Sequence, residues 1–159
     1  MRPLAAVLAL AAALSACSSG GGSDAYVRRL PDARLSTLAG IPGPSLATCP
    51  TDKCLTVLVA PWCAICRRET PVIIALRKAL DRAGVASRIV VGSSDDLPAI
   101  RKFAAEFGPD ALLDDGGALR SRGVPAFLVT DRKGRILKAV NGFPSGAGPD
   151  ELARYLDLI

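Results

Sequence analysis

The chain has 159 residues, enough for one domain with its own core; half are apolar but only one Trp, two Tyr and four Phe occur, so that core rests on Leu, Val, Ile and Ala. There is no histidine, which excludes Ser-His-Asp and Cys-His catalysis, His-Glu-x-x-His metalloproteases and Cys/His zinc fingers, because each uses an imidazole as base or ligand. Twenty Lys and Arg against fifteen Asp and Glu give a net charge of +5, yet the basic residues are interspersed with acids, which argues against nucleic acid as a partner.

Arg2 is the only charge before Asp24, and an apolar run from Leu4 to Leu14 follows it. That is the length of an export-signal core and too short to span a bilayer. The run ends in Leu14-Ser15-Ala16-Cys17, which resembles the lipobox of bacterial lipoproteins. The resemblance implies a signal peptide over 1–16 and a lipid on Cys17 that anchors the chain to a membrane; an ordinary secretory signal with an incidental cysteine is the other reading. Ser18-Ser19-Gly20-Gly21-Gly22-Ser23 cannot bury apolar surface, so 17–25 is the lipidated residue with a flexible tether and 26–159 is the folded domain. Such a domain lies outside the cytoplasm, and Ser18 resembles the pattern sorted to the outer membrane, so the expected place is the periplasmic face of a membrane. Export also makes disulfide chemistry the first reading of the four other cysteines.

From Tyr26 to Pro50, the residues Pro31, Gly40, Pro42, Gly43 and Pro44 predict a short helix or turns and then irregular chain. Cys49-Pro50-Thr51-Asp52-Lys53-Cys54 reads as a structural disulfide, worth about 2 kcal/mol for so short a loop. A second redox pair relaying electrons to the first is the alternative; it requires the pairs to meet, whereas an extended six-residue strand between them spans about 20 Å. Leu55 to Ala60 is that strand, apolar and β-branched as in a central parallel strand. From Cys63 the pattern turns helical, with Val72, Ile73, Leu76, Ala79 and Leu80 on one face, Pro71 as a kink and Gly84 as the C′ residue. Ile89-Val90-Val91 is a second strand, and Asp95 or Asp96 caps a helix through Ile100, Phe103, Ala104 and Phe107 to Gly108. Phe127–Thr130 and Arg135–Val140, joined by Asp131-Arg132-Lys133-Gly134, form a hairpin. A last helix starts at Pro149 or Asp150 with Leu152, Tyr155 and Leu156 on one face. The sum is an α/β fold, a mixed central sheet flanked by helices on both faces.

Trp62-Cys63-Ala64-Ile65-Cys66 sits where the buried strand hands over to a helix. Unpaired N–H groups and the helix dipole favour an anion there, so a thiol loses its proton more readily than free cysteine at a pKa of ~8.5. Cys63 is therefore the nucleophile, and Cys66, one turn further in, is the resolving thiol. Gly123-Val124-Pro125 precedes the hairpin, where a proline without an N–H marks an edge, a bend or a cis bond. Together, Trp-Cys-x-x-Cys at a strand-to-helix junction, a proline five residues after the second Cys, and Gly-Val-Pro before a hairpin resemble the thioredoxin family. Trp62, Cys63, Cys66, Arg67, Glu69 and Pro71 fit W-C-x-x-C-R-x-E-x-P, similar to its membrane-tethered TlpA-like branch.

That resemblance implies a thioredoxin-like fold, a cis Pro125 against the active-site disulfide, and docking of an extended substrate at Trp62, Val124 and Pro125. It implies an extracytoplasmic protein thiol-disulfide oxidoreductase, with reduction as the leading direction and oxidation or isomerisation open, protein thiols or disulfides as substrates, a membrane electron-donor protein as partner, and no metal or organic cofactor. Two departures stand. Val57 occupies the position where many thioredoxins keep a buried carboxylate, and Ala64-Ile65 matches neither the Gly-Pro nor the Pro-His dipeptide. Three further readings stay open: a static Cys63–Cys66 bridge, a four-thiolate zinc site from all four cysteines, and, from either, a non-catalytic lipoprotein serving as an interaction module. Arg67 either stabilises the Cys63 thiolate or lies along the helix surface. Trp62 either shields the disulfide or packs.

Overall fold

A computed structural model describes residues 29–93, 96–144 and 146–159. The expected signal peptide, Cys17, the tether and Asp95 lie outside the described residues. Seven strands and three helices follow one another as β1 (Arg34–Thr37), β2 (Pro42–Ser45), β3 (Lys53–Val59), α1 (Ala64–Arg82), β4 (Ala86–Gly92), α2 (Leu97–Ala104), β5 (Leu112–Asp114), β6 (Ala126–Asp131), β7 (Ile136–Asn141) and α3 (Pro149–Tyr155). The strands make one sheet in the order β2-β1-β5-β4-β3-β6-β7. Its middle three strands are parallel and the rest antiparallel, so this is the mixed α/β sheet expected.

The layering differs in one respect. The sheet steps from β3 to β4 to β5 in a single direction, and right-handed crossovers then place α1 and α2 on the same side. Buried residues of all three helices, among them Ile73 and Leu76, Ile100 and Phe103, and Leu152, join one core with Leu55, Val57 and Val59. The other face holds a smaller core of Leu58, Val90, Leu112 and Leu128, covered by Leu30, Leu46 and Leu119 from non-helical chain. The segment from Asp115 to Arg122 is turn rather than helix, and buried Asp114 holds it by accepting the N–H groups of Ala118 and Leu119 at 2.7 and 2.8 Å.

Helix ends obey the expected local chemistry. Gly84 at φ 70° closes α1 in a Schellman motif, with its N–H on Asp81 and that of Val85 on Leu80. Asp96 caps α2 by accepting from Ala99 N–H at 2.8 Å. α1 is continuous through Pro71.

Two expectations need correction. The stretch 26–50 contains no helix among its described residues; it forms the β1–β2 hairpin around Gly40 at φ 84°. β2, Pro-Gly-Pro-Ser, is an edge strand, where a missing N–H forfeits no ladder bond. β5 was not expected, because three residues carry no readable period. Tyr155 is 51% exposed, while Leu152, Ala153 and Leu156 carry the contact face of the C-terminal helix.

Candidate active site

β3 delivers the chain into the sheet's carboxyl edge, and a turn at Pro61 and Trp62 starts α1 there. Cys63 is the N-cap residue, with extended backbone; its Sγ accepts the N–H of Cys66 at 3.1 Å. Cys63 and Cys66 are joined as a disulfide with Cα atoms 5.2 Å apart. Cys66 is fully buried and Cys63 is 5% exposed, so the outer sulfur belongs to the residue nearer the helix end.

The loop before β6 brings Val124 and Pro125 to this disulfide across 61 residues of sequence. The Val124–Pro125 peptide is cis, and the Val124 carbonyl oxygen lies 3.5 Å from Cys63 Sγ. Val124 is half-buried and packs against both cores. Trp62 is 61% exposed, and its indole N–H donates to the Ser93 carbonyl at 3.1 Å. The ring is thus held at its N–H edge while the residue stays largely in solvent, which favours a contact surface over a packed core residue. The structure brings all five expected residues, Trp62, Cys63, Cys66, Val124 and Pro125, to one end of the sheet.

Arg67 does not point at the sulfurs. Its Nε donates to the Pro61 carbonyl at 2.5 Å, and its guanidinium stands 5.8 Å from the Phe103 ring centroid. Its role is to tie the active-site turn to α2. Val57 is fully buried in the helix-side core, so an apolar side chain fills the place of the carboxylate. Ile65, between the cysteines, is 40% exposed, an apolar side chain left in solvent in the first turn of α1. One site residue escaped sequence reading. Ser93, at φ 76°, carried no signal, since only the fold places it under Trp62.

Cys49 and Cys54 are also joined, with Cα atoms 5.6 Å apart, and both are buried. Thr51 fastens their loop, its Oγ donating to the Lys53 carbonyl at 2.6 Å and accepting the Ala86 N–H at 3.2 Å. This pair sits at the start of β3 and the other beyond its end, roughly 20 Å away at about 3.3 Å per residue. The four sulfurs do not converge, so they cannot share one zinc ion. Among the described residues no helix is long and apolar enough to cross a membrane.

No protein-family model matches the chain, and no curated protein matches it. Solved structures do. A secreted disulfide oxidoreductase of Mycobacterium tuberculosis, homologous to E. coli DsbE, superposes with a TM-score of 0.62 at 21% identity, over 80% of this chain and 96% of that one. The exposed lipoprotein thioredoxin of Streptococcus pneumoniae gives 0.64 at 20% identity, over 81% and 100%. A thiol:disulfide interchange protein of the thioredoxin family from Chlorobium tepidum gives 0.59 at 19%, over 86% and 98%. At these identities the likeness concerns architecture: the fold is thioredoxin-like.

Proposed function

We propose that this chain is an extracytoplasmic protein thiol-disulfide oxidoreductase working through Cys63 and Cys66, in the direction of reducing its substrate. The observation that carries the reading is the cysteine pair itself, capping α1 with the Cys63 sulfur 3.5 Å from the carbonyl before cis Pro125. A structural bridge has no need of an exposed indole beside it or of a helix N-terminus beneath it.

In the reduced protein the Cys66 N–H that now faces Cys63 Sγ at 3.1 Å, together with the helix dipole, stabilises a Cys63 thiolate. The thiolate attacks one sulfur of a substrate disulfide and expels the other as a thiolate, leaving a mixed disulfide. Cys66, deprotonated, attacks Cys63 Sγ and releases the second substrate thiolate. The substrate gains two electrons, the expelled thiolates take up two protons, and Cys63–Cys66 is left oxidised. A membrane-held dithiol protein returns the two electrons. Trp62, Val124 and Pro125 dock the substrate: the Val124 backbone offers an extended chain hydrogen bonds beside the sulfur, and Trp62 with Ile65 offers it apolar surface. The leader over 1–16 directs export and is cleaved off, and the lipid on Cys17 with the tether to 25 holds the domain at the periplasmic face of a membrane. The secreted and exposed characters of two fold relatives support that placement.

The test is trapping. Full-length Cys66→Ser, reduced and offered a disulfide-bonded protein, is expected to accumulate a mixed disulfide through Cys63, while Cys63→Ser accumulates none. Glutathione equilibration of the wild type then sets the direction: a potential near about −270 mV fits a reductant and one near about −120 mV an oxidant. If neither sulfur exchanges, the enzyme reading fails and the non-catalytic module takes its place.

A further inference from the structure

β6 and β7 turn Leu128, Ile136 and Ala139 toward the sheet face that no helix covers. These side chains floor a groove of about 610 Å³, walled on one side by the chain at Arg29 and on the other by the segment ending at Arg122. Every charged residue lining it is an arginine: Arg29, Arg120 and Arg122. Arg120 and Arg122 are exposed and form no ion pair with a described residue. Among the described residues, the acids in the flanking segments are committed elsewhere, Asp115 excepted. Asp131 is taken by Arg135 and the Lys133 N–H, Asp114 by the turn it caps and Asp32 by the Ser45 hydroxyl, while Asp115 lines an adjoining hollow that Arg120 also borders.

The groove is linked to the redox pair by chain continuity. Its arginine wall runs on through Gly123 into Val124, whose carbonyl faces Cys63 Sγ at 3.5 Å. Asn141, at its upper end, pairs with Ala126, the residue after cis Pro125. A chain docked along the Val124 backbone and continued along residues 123 to 120 would reach this groove. Three arginines around an apolar floor, none ion-paired with a described residue, repel one another in the free protein, and entering carboxylates relieve the repulsion with bidentate geometry. A flat lipid surface reaches the rim but not the floor.

We propose that this groove binds an acidic, extended segment flanking the substrate's disulfide, with Arg120, Arg122 and Arg29 as specificity determinants. The proposal rests on the redox reading above and names its substrate class.

The experiment uses reduced full-length protein in detergent and three disulfide peptides that differ only in Glu, Gln or Lys residues flanking the cystine. Bis(2-hydroxyethyl) disulfide serves as a small neutral probe. Exchange rates are expected in the order Glu, Gln, Lys, with the Glu peptide roughly tenfold faster than the Lys peptide at low salt. The gap should close near about 1 M salt, where screening reaches ~3 Å. Arg120→Gln/Arg122→Gln should level the three peptides and Arg120→Glu/Arg122→Glu reverse their order, both leaving the small probe's rate unchanged. Rates within twofold for the Glu and Lys peptides in the wild type, or a preference that survives the charge reversal, overturn the proposal. So do level peptide rates combined with arginine-dependent retention of a Cys17→Ala chain on phosphatidylglycerol vesicles, which assigns the arginines to a membrane. A protein inert even to the small probe removes the redox reading and this proposal together.

Discussion

Arg88 shows how much of this fold hangs on single side chains that no motif announces. It stands on β4 beside Thr56, facing the helix-free side, and its guanidinium donates to four oxygens: Thr56 Oγ at 2.8 Å and the carbonyls of Ser45, Leu46 and Thr48 at 2.8, 3.0 and 3.0 Å. Burial pulls it below the ordinary guanidinium pKa, but the charge persists at any working pH. It clamps the chain between the N-terminal hairpin and Cys49 onto the sheet. Arg88→Ala leaves three carbonyls short of a donor and is expected to cost about 2–4 kcal/mol by urea unfolding. Arg88→Lys, with one point donor in place of a fork, should recover less than half of that. The sequence offers Arg88 as one of twenty cations; only the register of β3 against β4 reveals it as a clamp. Cys63 and Cys66 were legible for the opposite reason, since their chemistry depends on local spacing at a helix start. The same holds for Pro125, whose missing N–H is a local fact, whereas Ser93 reaches the site only through tertiary folding.

Among the elements, those with a long period or a cap were readable, including β3, α1 with its Gly84 terminus and the β6–β7 hairpin. β1, β2 and β5 have only four, four and three residues, too short for a period, and are held by neighbours rather than propensity. Polar latches also join elements where no hydrophobic pattern points. Lys138 on β7 donates to the Tyr155 carbonyl and, at 2.9 Å, to the Asp157 carboxylate, while Lys53 on β3 donates to the Asp157 carbonyl at 2.5 Å. These bonds fasten the chain after α3 to the sheet. The hydrogen bond and charge of Lys138 hold the Asp157 carboxyl below the usual value of 3.8. Asp131 is lowered too: desolvation raises it, but the N–H and guanidinium of Arg135 and the N–H of Lys133 outweigh that. A carboxyl depressed in the folded state adds stability above its unfolded pKa and loses it as pH falls through the folded one. Urea midpoints should therefore hold level from about pH 7 to 5 and decline below about pH 4. Asp157→Asn should make that decline shallower while lowering the neutral-pH midpoint slightly; an unchanged acid limb would remove the latch from the account.

At the scale of the whole molecule, the sheet holds the two disulfides apart. Cys49–Cys54 is buried at the entry of β3, behind Thr51 and the Arg88 clamp, and Cys63–Cys66 stands at its exit, against the loop that carries Pro125. β3 is buried over nearly its whole length and paired on both sides, so it is a rigid spacer: the pairs cannot approach without unfolding the sheet's centre. The consequence is a double dissociation. Cys49→Ser/Cys54→Ser should lower stability by about 2 kcal/mol, the chain-entropy value for a six-residue loop, and leave the exchange rate at Cys63 within about twofold, since additivity holds for sites this far apart. Cys63→Ser/Cys66→Ser should abolish exchange; closing an even shorter loop, this bridge contributes less chain entropy, and its removal should move the unfolding midpoint less. Unfolding curves and exchange rates on the same four proteins, counting the wild type and the quadruple variant, decide it. A tenfold loss of exchange on removing Cys49 and Cys54, with stability unchanged, would instead make the inner pair a relay, and the sheet would have to open for electrons to cross it.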